Sequence, residues 1–261
     1  MADYLIHDST LEDIADAIRA KTGGSSLIEP EDMPTEIASI SGGGGTSITD
    51  GIVVHSRDGD GFATSVTFYG TVIHDKQFYN RTSGDGGWVR LSSLSFHDTV
   101  TEIGDYALNG CGALQSIDFS GLQVCGQYAF QSCSFVSVVL PNATTIGSCA
   151  FIGCTSLQTV TAPKLKNIVT RMFQGDNGLV SVEVGSIGYG ITNVASNAFT
   201  QCAQTGLTIT LYTTGSYANT AVTNTRTGAT NATIIIKASE ATTYNGTSYA
   251  AGDTILTSEV A

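Results

Sequence analysis

From residue 91 onward the chain repeats itself about every 22 residues, and a chain that repeats at this period has few folds open to it. Apolar residues recur at positions 1, 4 and 6 of each unit: Leu91, Leu94, Phe96; Leu114, Ile117, Phe119; Phe135, Val138, Leu140; Leu157, Val160, Ala162; Leu179, Val182, Val184. Their first residues are spaced 23, 21, 22 and 22 apart. A second signature places an aromatic or leucine five residues after an apolar one: Ile103 and Leu108, Cys125 and Phe130, Ile146 and Phe151, Ile168 and Phe173, Val194 and Phe199. Three residues further on stand Cys111, Cys133, Cys154 and Cys202, with Asp176 in that slot once. One such unit cannot bury its apolar residues alone. Stacked units can, so the pattern predicts a mainly β solenoid in which each turn contributes a short strand about 4.8 Å from the next.

The flanks read differently. Over 48–90, Ile52-Val53-Val54 and Thr64 to Tyr69 alternate around the turn Asp58-Gly59-Asp60-Gly61, which predicts a β-hairpin cap, with Ile73 and Phe78 as a degenerate first repeat. The repeats proper are expected over 91–206, with a bulging loop around Gly185 to Gly190. The threonine-rich stretch 207–261 is expected to form a β-rich cap or tail that carries an Asn245-Gly246 turn. The first 41 residues read as short helices. Ser9 and Glu12 form a capping box, Leu11, Ile14 and Ile18 lie on one face, and Met33, Ile37 and Ile40 repeat at helical spacing. So few apolar residues make no independent core. The segment therefore either packs on its own protein or docks on another through Leu11, Ile14, Ile18, Ile37 and Ile40. The glycine-rich stretch 42–47, a flexible joint, favours docking and oligomerisation.

Charge excludes more than it suggests. With 11 basic and 23 acidic side chains the net charge is −12, and no basic cluster offsets it, so a phosphate backbone is repelled and nucleic-acid binding is not expected. The surface polarity comes instead from 61 serines and threonines. No apolar run approaches the roughly 20 residues of a spanning helix, so membrane insertion is not expected. The opening residues lack the basic and apolar regions of a secretory signal, so the chain is either first made in a cytosol or has had a signal removed, and the first is expected.

No cofactor or metal is expected. The histidines His7, His55, His74 and His97 all precede the cysteines, and no metal-ligand spacing occurs. Asp58 to Gly61 lacks the glutamate that a calcium loop needs at its twelfth position, where Tyr69 stands. Catalysis is not expected either. The outward strand positions carry only two carboxylates, Asp118 and Glu183, about three strands or 15 Å apart, beyond the roughly 5–9.5 Å of glycoside hydrolysis. For binding, the column Tyr106, Tyr128, Cys149, Arg171 and Asn197 is expected to face solvent. Two tyrosines beside an arginine suit a sugar ring or an aromatic side chain, and ordinary solvated surface is the other reading.

Runs such as Ile146-Gly147-Ser148-Cys149-Ala150-Phe151-Ile152-Gly153-Cys154-Thr155-Ser156-Leu157, and Ile103 to Cys111, resemble the BspA-type leucine-rich repeat family. The cysteine column falls where such repeats place Asn or Cys. The resemblance implies a leucine-rich-repeat solenoid with short amino-terminal helices and β-rich caps. Neighbouring turns bring Cys111, Cys133 and Cys154 within about 5 Å, close enough for bridging, but the repeat calls for small buried thiols and a cytosol is reducing, so free thiols are expected. The front segment, Leu11 to Gly23 followed by Ile28, Pro30 and Ile37, is similar to the amino-terminal segment of structural proteins of tailed bacteriophages that infect Firmicutes. Together these resemblances imply a homo-oligomeric virion protein of a tail or fibre. It would contact other virion proteins through its helices and a host cell-surface polysaccharide or protein through its repeats, with Tyr106, Tyr128, Arg171, Asp118 and Glu183 as candidate contacts. The alternatives are a bacterial cell-surface adhesin, a head or neck decoration protein and, furthest, an envelope depolymerase.

Overall fold

The computed structural model describes residues 48–49, 52–79, 88–202 and 205–258. The expected amino-terminal helices and glycine joint, with Leu11, Ile14, Ile18, Ile37 and Ile40, lie outside the described residues. What is described is a stack of repeats joined by two ladders of parallel strands. The main ladder runs Ala63–Phe68, Ser93–Phe96, then Ser137–Val139, Thr159–Ala162, Ser181–Val184, Thr208–Thr213 and Thr233–Ala238. Its register keeps repeat equivalents together: Val66 opposite Leu94, and Val138, Val160, Val182, Ile209 and Ile234 in one row. A second ladder of two-residue strands runs Val72–Ile73, Glu102–Ile103, Val124–Cys125, Thr145–Ile146, and then Asn167–Ile168 with Asn193–Val194.

Between the two ladders lies the core. Phe130, Phe151, Phe173 and Phe199 stack through successive turns with centroids 5.1, 5.9 and 5.4 Å apart and planes within 21° of parallel. All four are buried, as are Ile73 and Phe78, so the degenerate first unit packs like its successors. Strands start where they do because every second residue is apolar and faces this core. The strand Thr208–Thr213, for instance, buries Ile209, Leu211 and Thr213 and leaves its other three residues half-exposed. The earlier turns, at Gly104, Gly126 and Gly147, stack closely enough to require glycine. A Cβ on Gly126 would meet the backbone of Asp105 and Gly104, and one on Gly147 the backbone of Gly126 and Gln127.

Three features differ from the sequence reading. Residues 114–119 fill their place in the repeat, with Leu114 and Phe119 buried, but form no strand, so the main ladder is interrupted between Ser93–Phe96 and Ser137–Val139. Asp118 accounts for this locally: its carboxylate accepts the Ser120 N–H at 2.8 Å, which curls the chain out of the extended form. The stretch after 206 does not begin as a cap, because Thr208–Thr213 and Thr233–Ala238 continue the parallel ladder for two more rungs. Nor is it wholly β: Ala218–Gly228 is an α-helix. Its buried Ala218, Ala221 and Thr225 fall at i, i+3 and i+7, the spacing of one helical face.

Antiparallel strands close both ends. Ile52–Arg57 pairs with Ala63–Phe68, Ile48–Thr49 adds to its outer edge, and Thr254–Ser258 pairs with Thr233–Ala238. The first hairpin turns at Asp58, whose carboxylate accepts the N–H groups of Asp60 and Phe62 and pairs with Arg90 at 2.8 Å. It is a turn locked by an ion pair. The Asn245-Gly246 turn joins Thr242–Tyr244 to Thr247–Tyr249 with φ of 48° and 79°, as the two central residues of a type I′ hairpin require.

Candidate functional site

Each turn of the stack reverses direction through backbone that L-residues rarely adopt. Lys76, Tyr106, Tyr128, Cys149 and Arg171 form one left-handed column, with φ between 53° and 60°. Gly110, Ser132, Gly153, Gly175 and Gln201 form a second. Non-glycine residues in this region cost on the order of 1–2 kcal/mol each. Here the cost recurs once per turn because it lets a tight corner be made without lengthening the repeat, and it aligns successive side chains along one edge.

On that edge Tyr106 and Tyr128 stack, centroids 4.9 Å apart and planes 10° from parallel. Tyr79 meets Tyr106 edge-on at 6.4 Å, and the Lys76 ammonium lies 5.8 Å from the Tyr106 centroid. The faces of Tyr106 are therefore largely taken by its own neighbours, and what the pair offers outward is ring edge and phenol oxygen. Tyr128 hydrogen-bonds with Cys149, which raises its pKa, while the nearby Arg171 cation acts in the opposite sense. Arg171 is exposed and Asn197 half-buried, but Cys149 is 3% exposed. The expectation of a wholly solvent-facing column thus fails at Cys149, whose small thiol fits beneath the Tyr128 hydroxyl where a larger side chain would be forced outward.

The outward face of the main ladder is more regular. Ser65, Ser93, Ser137, Thr159, Ser181, Thr208 and Thr233 occupy equivalent positions, as Ser65 opposite Ser93 and Thr159 opposite both Ser137 and Ser181 show. Ser116 holds the matching place in the strandless turn. Every rung of this column is a hydroxyl, and some bond along the column, with Thr159 Oγ1 donating to Ser137 Oγ at 2.7 Å. In the next column Thr67 and Ser95 hydroxyls lie 2.8 Å apart. The sequence alone displays the central members; the outer ones, Ser65, Thr208 and Thr233, escape it because they sit in segments read as caps. Asp118 and Glu183 belong to the second column, but the rungs of Val139 and Thr161 lie between them, so the structure does not bring them together.

The cysteine column is interior. All six cysteines are free thiols and buried. Cys111, Cys133, Cys154 and Cys202 each donate Sγ–H to a carbonyl of the preceding turn, those of Phe78, Leu108, Phe130 and Phe173, at 2.8–3.2 Å. Burial pushes the Cys111 and Cys202 thiols up to about 12, so they stay protonated, inert donors. Asp176, in the same slot, is fully buried; Oδ1 accepts the Cys154 N–H at 2.8 Å and Oδ2 has no partner. Desolvation drives its carboxyl up to about 8, against the lowering effect of the Cys154 and Gly153 N–H groups.

Among the described residues no group of three or more His, Cys, Asp or Glu could hold a metal ion, and no helix is long and apolar enough to cross a membrane.

No curated protein sequence matches the chain. Among solved structures, the chain is similar to a leucine-rich repeat protein of T. pallidum, with 24% identity, 58% of this chain and 86% of that one covered, and a TM-score of 0.38. It is also similar to a leucine-rich repeat protein of Bacteroides ovatus, with 17% identity, 64% and 65% covered, and a TM-score of 0.34. The profile described as "BspA type Leucine rich repeat region" matches residues 71–206 in six copies, its first copy starting at the rung of Ile73 and its last ending just after Cys202. A match over that span, in register with the ladders, the phenylalanine stack and the thiol column, makes this chain a member of the BspA-type leucine-rich repeat family.

Proposed function

We propose that the chain is a non-enzymatic recognition protein of a tailed-phage virion, held in a tail or fibre by its amino-terminal segment and displaying the solenoid to a host-surface polysaccharide or protein. The observation that carries the recognition role is the hydroxyl column on the exposed face of the main ladder. It is uncharged on a protein of net charge −12 and regular, and the tyrosine pair and Arg171 form a separate column at the corners that follow the short strands. Such a face binds by many weak, aligned hydrogen bonds, and a reaction centre would need strong perturbed groups that it lacks. The virion role rests on the likeness of Leu11 to Gly23 to the front segments of phage structural proteins and on the glycine run that follows.

Labelled full-length protein is expected to bind intact cells of a susceptible Firmicutes host and to release no reducing ends from its wall polysaccharide. Antibody against the chain is expected to decorate virions. Decoration of the bacterial surface instead would move the protein to the cell as an adhesin, and released sugar would make it a depolymerase. Substituting Ile14 and Ile18 by Asp is expected to abolish incorporation into particles while leaving the melting of the repeats unchanged. Incorporation at the ordinary level by a chain starting at Ser47 would refute the docking role.

A further inference from the structure

The repeat is broken at one place where its consequences converge on a cavity. The step from Asp176 to Cys202 is longer than the others, and the extra residues form a small loop over 185–190, closed by the Ser186–Tyr189 bridge and tied to Ser239 by the Gly188 N–H. This loop, the turn at Thr214 to Tyr217 and the corner at Ser239-Glu240 lie beyond the carboxyl ends of the last parallel strands. With Lys166 they line an open cavity of about 380 Å³. That is the lower end of the volume range for small-ligand sites.

We infer that this cavity is a binding site for an uncharged sugar of one or two rings. Lys166 and Glu240 both line it, both are exposed, and among the described residues neither makes an ion pair or side-chain hydrogen bond. One free cation and one free anion give the site no net charge, so a ligand with a single charge would satisfy one and oppose the other. A ligand that both donates and accepts satisfies both, and vicinal hydroxyls do so. The remaining polar lining decides between a polyol and a zwitterion. Thr214 and Ser216 hydroxyls, 3.0 Å apart, and Ser239 can each donate or accept, which matches a ring of hydroxyls; the carbon skeleton of a small zwitterion would leave them unpaired. Tyr217 supplies a ring for the sugar's C–H face. Its hydroxyl accepts the Val194 N–H at 2.8 Å, so the ring is already fixed before any ligand arrives. Gly190 keeps the loop close: a Cβ there would collide with the Ser239 side chain. This site goes beyond the recognition role of the hydroxyl face and stands whether or not the chain is carried on a virion.

The test uses the full chain and saturation-transfer NMR with glucose, galactose, rhamnose, N-acetylglucosamine and their disaccharides, with glycine and glutamate as charged controls. At least one sugar is expected to bind saturably, and the charged controls are expected not to compete. Lys166→Met and Glu240→Gln are each expected to weaken binding about tenfold or more with unchanged melting temperature. A Ser137→Ala/Thr159→Val double variant on the sheet face is expected to leave binding intact. The inference is overturned if no sugar binds at tens of millimolar, if glycine or glutamate binds in preference, or if both cavity variants bind as the parent does. Loss of binding only in the sheet-face variant would return sugar recognition to the hydroxyl face and overturn this site alone.

Discussion

At the scale of single residues, Asp176 stands out because it occupies a slot built for a thiol. The neighbouring turns offer it the Cys154 and Cys202 side chains, both held protonated, and no cation. An aspartate ionises near 3.9 in an unfolded chain and at about 8 here. Between those values the folded state binds a proton that the unfolded state has lost, so Asp176 makes stability fall as pH rises from about 4 to about 8, with no further slope beyond. Replacing it by Cys restores the donor, and replacing it by Asn removes the titration. Both variants are expected to melt at a higher temperature than the parent at pH 8, with the difference shrinking toward pH 4. Thermal scans across that range check it, and a difference independent of pH would place the carboxyl outside the core. The sequence showed the substitution in the column, but not that one carboxyl oxygen would be left without a partner, since that depends on which groups of the neighbouring turns face the slot.

At the scale of elements, the repeat pattern was legible because each column has one physical job. The buried rows Val138, Val160 and Val182 and the phenylalanine stack were all marked by position alone. The helix Ala218–Gly228 was not, because its composition misleads: Thr220, Thr223, Thr225 and Thr227 favour strands, and its buried stripe consists of small residues with little hydropathy signal. It forms because it packs on the last turns, with Asn224 donating to the Val194 carbonyl at 2.8 Å. The close stacking of turns at Gly104, Gly126 and Gly147 was likewise invisible, since later turns tolerate Val169 and Ala195 in the same place. Gly126→Ala forces a Cβ into the Asp105 backbone and is expected to cost about 1–3 kcal/mol, read from chemical denaturation, whereas Gly59→Ala, in open space, is expected to cost far less.

At the scale of the whole molecule, the stack is a one-dimensional object whose rungs contact only their neighbours. Truncation from either end should therefore remove stability in steps, and a Phe151→Ala change in a central turn, which touches Phe130 and Phe173, is expected to cost about 3–5 kcal/mol. The strandless turn at 114–119 has a mechanical consequence. On either side of it the main ladder is cross-linked by hydrogen bonds, but across it the load passes to the short strands at Glu102–Ile103, Val124–Cys125 and Thr145–Ile146, to corner bonds such as the Leu108 N–H to the Ala129 carbonyl, and to the packing of Phe119 on Phe130 and Phe135. In the proposed role, with the chain held at one end and bound at the other, it would be a tether under load, and this turn, which adds no strand to the main ladder, is where it is expected to yield. Pulled from its ends in a single-molecule trap, the chain is expected to yield first at this seam, into two blocks that hold to higher force. Asp118→Thr, which removes the carboxylate that curls the turn, is expected to raise the force of that first event.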